Sequence, residues 1–112
     1  MQTVVETPPF LSDAERIFTM EERAAIVTRV ALDPTCGVLI PGTGGIRKFR
    51  FGFRGRGKSG GARVIYVFGG GDVPVFLLAA FAKNEKADLT AAERNSLGKQ
   101  VVKMLADYRS RQ

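Results

Sequence analysis

Residues Val75 to Ala82 read VFLLAAFA, a run with no polar side chain. A strand sends successive side chains to opposite faces, so a strand that is apolar throughout must be covered on both. The run is therefore placed inside a sheet. Gly69-Gly70-Gly71-Asp72 before it reads as a hairpin turn, and Lys83-Asn84-Glu85-Lys86 ends it where polarity returns.

The remaining elements are predicted around this strand. Thr3 to Glu6, with paired valines, reads as a short first strand ending at Pro8-Pro9. Phe10 to Phe18 reads as a short helix with Phe10, Leu11, Ala14, Ile17 and Phe18 on its apolar side. Thr19-Met20-Glu21-Glu22 fits a capping box, in which hydroxyl and carboxylate each satisfy an orphan backbone N–H. A helix from Met20 to Leu32 follows, with Ala24, Val27 and Ala31 at helical spacing. Pro34 stops it, because the residue before a proline avoids the α region. Cys36 to Ile40 reads as an apolar connection. Strands are predicted at Ile46 to Phe51 and Arg63 to Phe68. Thr90 and Glu93 form a second capping box, opening a helix from Ala91 to about Arg109. Leu97, Val101, Met104, Leu105 and Tyr108 make its apolar stripe, read as packing on the sheet. The expected fold class is α+β: a mainly antiparallel four-stranded sheet, an N-terminal helical hairpin and a C-terminal helix. The helices are expected to cover one sheet face, leaving the other to basic residues.

At 112 residues the chain supports one domain, 1–112, and one core. Its net charge of +6 is unevenly placed. Residues 1–40 carry three basic and six acidic groups, and residues 72–112 carry seven basic and five acidic. Residues 41–71 carry seven basic groups and no acid: Arg47, Lys48, Arg50, Arg54, Arg56, Lys58 and Arg63. A glycine-punctuated basic loop between two strands suits a polyanion, because Lys and Arg neutralise phosphates and release condensed counterions. With period two, Phe49 and Phe51 share one face of their strand, and Lys48 and Arg50 share the other.

The chain has one cysteine and no histidine. An internal disulfide is excluded, and so are His-ligated metal sites and His-based acid–base catalysis. No cofactor or metal is expected. No segment reaches the roughly 20 apolar residues of a membrane span. The N-terminus lacks the basic and apolar regions of a signal peptide, so the expected location is the cytoplasm, with no membrane partner. Gly42-Thr43-Gly44-Gly45 lacks the GK[ST] ending of a phosphate-binding loop and reads as a turn.

The runs IPGTGGIRKFRF, GRGKSGGARVIYVF and FLLAAFAKNEKADLT resemble the RelE/HigB family of toxins from bacterial toxin–antitoxin pairs, most closely the HigB-like branch with a long glycine-rich basic loop. The resemblance covers nearly the whole chain. It implies a small ribonuclease that cleaves messenger RNA in the ribosomal A site, inhibits translation and arrests growth. It also implies a cognate antitoxin, often with a helix-turn-helix domain, through which operator DNA is reached. By the same resemblance the catalytic set is Lys48, Arg50, Arg63 and Lys83. Arg47, Arg54, Arg56, Lys58 and Lys86 would contact RNA. The tyrosine that stacks on a base in some members is replaced here by Asp88-Leu89-Thr90, with Tyr66 as a candidate substitute.

Such chemistry needs no imidazole. The ribose 2′-OH is the nucleophile, and protein groups position, neutralise charge and move protons. Clustered like charges disfavour a protonated ammonium, which would suit Lys48 to serve as base on the 2′-OH or as acid toward the leaving 5′-oxygen. Arg63 can fork onto the phosphate, while arginine is a poor proton donor, so Lys83 is the better acid. Glu85 reads as a salt-bridge partner for Arg63, with a base role open beside it. Arg47 shares parity with Phe49 and could instead pin the start of the loop. Two other functions stay open: a non-catalytic RNA- or ribosome-binding module, and a gyrase inhibitor on the same scaffold.

Overall fold

The computed structural model describes residues 1–53 and 60–112. In chain order the elements are β1 (Val4–Glu6), α1 (Pro8–Ile17), α2 (Met20–Leu32), β2 (Val38–Leu39), β3 (Ile46–Phe51), β4 (Ala62–Val67), β5 (Val75–Ala82) and α3 (Ala91–Ser110). They form one sheet of order β1-β5-β4-β3-β2, parallel between β1 and β5 and antiparallel elsewhere. The predicted α+β fold is observed, with a fifth strand in the stretch read as a connection. Val38 and Leu39 pair with Lys48 and Arg47. Two residues are too few to show a period, so only the pairing reveals this strand.

The helices start where their caps are written. Both capping boxes form, Thr19 with Glu22 and Thr90 with Glu93. α1 begins at Pro8 rather than Phe10, because the first helical position needs no amide proton and proline presets its φ. Thr7 caps α1 and also donates its hydroxyl to the Leu77 carbonyl at 2.7 Å, tying the helix start to β5.

Helices lie on both faces of the sheet, which corrects the expectation that one face stays bare. On one side Phe10, Ala14, Ile17, Phe18, Ile26 and Val30 of the hairpin meet Phe49, Phe51, Val64, Tyr66, Val75, Leu77 and Ala80. On the other, Val101 and Leu105 of α3, with Leu89, meet Ile46, Ile65, Val67, Phe76, Leu78 and Phe81. The apolar run of β5 requires this arrangement: its two faces feed two cores. A register shift between Ile65 and Tyr66, paired with Ala79 and Leu77, leaves Leu78 as an extra residue. This bulge lets Leu78 and Ala79 both pack with the α3 core while Ala80 returns to the hairpin side.

Candidate functional site

β3 and β4 pair so that Arg50 stands directly opposite Arg63 and Lys48 opposite Ile65. All three cations project from the face that α3 shares. At one end of that face Ile46, Ile65 and Val67 are buried under α3. At the other end Arg50 is exposed, and Lys48 and Arg63 are partly buried. The structure thus gathers Lys48, Arg50 and Arg63, as the sequence led us to expect. Like charges directly opposite each other on a sheet are destabilising, so this end calls for anions.

One anion comes from the chain itself. Lys48 Nζ lies 2.8 Å from Asp88 Oδ2, and Asp88 Oδ1 accepts from the Leu89 amide at 2.8 Å. The hydrogen bond from Lys48, then that from the Leu89 amide, holds the Asp88 carboxyl below the usual carboxylate range. A depressed carboxylate contributes stability above its unfolded pKa of about 4 and loses it as pH falls through the lower folded value. The electrostatic surroundings of Lys48 therefore include a carboxylate, not like charges alone. Sequence reasoning assigned Asp88 no role, since nothing local connects it to a strand forty residues earlier.

Arg63 Nη1 donates to the Gly60 carbonyl at 2.7 Å and to the Ala62 carbonyl at 3.3 Å. The expected Arg63–Glu85 pair is corrected by the geometry. Both Glu85 oxygens accept from Arg16 Nη1 at 2.9 Å, and Arg63 is anchored by carbonyls. Lys83 comes to the same turn: its amide donates to the Gly61 carbonyl at 2.9 Å, and its side chain packs on Gly60. Its Nζ donates to the Ala87 carbonyl at 3.3 Å. Gly61 at this turn has φ +57, and a Cβ there would collide with the Phe51 carbonyl. Only glycine brings the strand back this tightly.

Three expectations from the sequence do not join this cluster. Tyr66 is fully buried in the hairpin core, so it presents no ring face to a base. Its hydroxyl donates to the Pro34 carbonyl at 2.8 Å and accepts from the Gly37 amide at 2.9 Å, and burial raises its pKa. The signal was available in the period of the strand: Tyr66 has the opposite parity to Arg63. Arg47 likewise points to the hairpin side, donating to the Gly37 carbonyl at 2.7 Å and the Thr35 carbonyl at 3.3 Å. Lys86 pairs with Glu93 at 2.5 Å and stands 5.1 Å from the Phe81 ring centroid. The expected loop contacts Arg54, Arg56 and Lys58 lie outside the described residues.

Tyr66→Phe tests the corrected role. It removes the acceptor of a buried amide, which costs about 1–3 kcal/mol. A lower denaturation midpoint with RNA affinity unchanged per folded molecule is expected. Weakened RNA binding at full stability would restore the stacking role.

A cleft of about 750 Å³ lies between α1 and α3 against β5, lined in part by Asp13, Arg16, Leu78, Phe81, Glu85 and Leu97. Its lining includes none of Lys48, Arg50 and Arg63. Among the described residues no group of His, Cys, Asp and Glu could hold a metal ion. No helix among them is long and apolar enough to cross a membrane.

The fold and this face define a small α+β domain with one cationic sheet end and no imidazole. The family described as the RelE toxin of the RelE/RelB toxin–antitoxin system matches residues 41–112. This is more than half of the chain, and the chain belongs to that toxin family. A solved structure of a double-arginine mutant of the E. coli toxin RelE in the free state is similar, with a TM-score of 0.60 at 16% sequence identity. The match covers 90% of this chain and 97% of that one, and at this identity it speaks for the shared fold.

Proposed function

We propose that this toxin is an endoribonuclease that cleaves messenger RNA on the ribosome. The observation that carries the reading is the convergence of Lys48, Arg50 and Arg63 at the open end of the sheet, with Arg50 opposite Arg63. In the proposed reaction the ribose 2′-oxygen bonds to the adjacent phosphorus and the bond to the 5′-oxygen breaks. The products are a 2′,3′-cyclic phosphate and a 5′-hydroxyl. Arg50 and Arg63 neutralise the charge that grows on the phosphate, an electrostatic contribution of the kind that dominates such sites. The 2′-OH loses one proton and the leaving oxygen gains one. In this reading Lys48 and Lys83 move them, and the ion pair with Asp88 fixes where the Lys48 ammonium sits. Its partners are messenger RNA, the ribosome and a cognate antitoxin that occludes this face.

Purified protein, intact ribosomes and a translated messenger, read by primer extension, test the reaction. Cuts confined to ribosome-occupied codons are expected, as is growth arrest on expression that a neighbouring small gene relieves. Intact messenger in the presence of folded protein and translating ribosomes would overturn the proposal.

A further inference from the structure

Arg29 lies outside every residue assigned so far. It is exposed, in the last turn of α2. Its guanidinium carbon stands 4.5 Å from the centroid of the Phe49 ring, and its Nη1 donates to the Arg50 carbonyl at 3.4 Å. Phe49 is itself fixed, buried and in edge contact with Tyr66 at 5.8 Å between centroids. Stacking on a fixed ring holds a long side chain in place before any ligand arrives.

The position follows from the shortness of β2. That strand covers β3 only at Arg47 and Lys48. Beyond it the outer edge of β3 is open at Arg50, where Arg29 takes the carbonyl. An edge needs a donor there to be capped, but it does not need a positive charge. Four other cations of the helices and loops have carboxylate partners: Arg16 with Glu85, Arg23 with Glu6, Lys86 with Glu93, Arg109 with Asp72. Among the described residues Arg29 has no carboxylate partner, and it adds charge beside an Arg50 that already faces Arg63.

We propose that Arg29 binds a phosphodiester of the RNA strand flanking the reacting one. The strand would then pass from the Lys48–Arg50–Arg63 face over the open edge of β3 onto α2. This rests on the ribonuclease reading and adds a binding subsite to it. Arg29 is a substrate-binding residue here and does not touch the reacting atoms.

Arg29→Gln keeps a donor for the Arg50 carbonyl and removes the charge. The probes are a single-stranded 2′-O-methyl RNA long enough to cross the edge and a dinucleotide with one phosphate. For the long strand, the slope of log affinity against log salt should become shallower by about 0.7, the loss of one phosphate contact. For the dinucleotide it should not change, and Arg29→Lys should restore the long-strand slope. In ribosome-dependent cleavage KM should rise while kcat holds, at an unchanged thermal midpoint. An unchanged slope in Arg29→Gln, with salt-dependent binding intact in wild type, would reduce Arg29 to an edge cap and leave the ribonuclease reading standing. Wild-type protein without salt-dependent RNA affinity would overturn both.

Discussion

Arg63→Ala should lower ribosome-dependent cleavage by roughly a hundred- to a thousandfold, the usual cost of removing one donor aimed at developing charge. The expected change in stability is a partial loss that leaves the protein folded. In the structure Arg63 gives its hydrogen bonds to the Gly60 and Ala62 carbonyls, the second of them long at 3.3 Å. A bond from a charged donor is worth about 1.5–3 kcal/mol at good geometry, so the short bond to Gly60 is the main loss. Glu85 keeps Arg16, so this substitution does not strip that carboxylate of its ion pair. The substitution also relieves the repulsion between Arg63 and Arg50 across the strands. Cleavage rate and thermal midpoint, measured side by side, separate the readings. Lost cleavage in protein that stays fully folded at the assay temperature supports Arg63 at the reacting phosphate. Residual cleavage in proportion to the folded fraction would make Arg63 an anchor for the turn and nothing more. Arg63→Lys should recover little, because a single ammonium cannot present the planar fork that grips two phosphate oxygens.

Leu77→Ala should have the largest effect on stability, about 2–5 kcal/mol, the range for truncating a fully enclosed leucine. Leu77 is 0% exposed on the hairpin side of β5, between β1 and β4. Its neighbours are pinned: Thr7 bonds its carbonyl through both amide and hydroxyl, so the surroundings have little freedom to collapse into the cavity. Val102→Ala on α3 is the control. Val102 is 64% exposed, and a surface change of this kind stays within about 0.5 kcal/mol. Denaturant midpoints at unchanged slope would check both. A small effect at Leu77 would mean that β5 is not the strand on which both cores depend.

The two predictions draw on different parts of what could be read in advance. Leu77 was legible as core from the apolar run alone. Arg63 was read as a candidate site residue from the resemblance, but its partner was not legible. Glu85 is close to Lys83 in sequence and of the right charge, yet the structure gives it to Arg16 on α1. The same limit explains Tyr66. An aromatic with a polar tip suits a nucleic-acid surface or a core with one hydrogen-bonding corner, and the Pro34–Gly37 turn supplies that corner from another part of the chain.

The sequence by itself determined whatever depends on neighbours a few residues apart. The capping boxes at Thr19 and Thr90, the shared face of Lys48 and Arg50, and the burial of VFLLAAFA all follow from local periods and orphan amides. Only the tertiary structure decided which side of the sheet α3 covers, because an apolar stripe says that a helix packs and not upon what. It decided that Val38 and Leu39 form an edge strand and that this edge ends before Arg50. It also brought Asp88 to Lys48 across forty positions of chain. Such pairings depend on the path of the backbone between them, and no short-range pattern of residue types records that path.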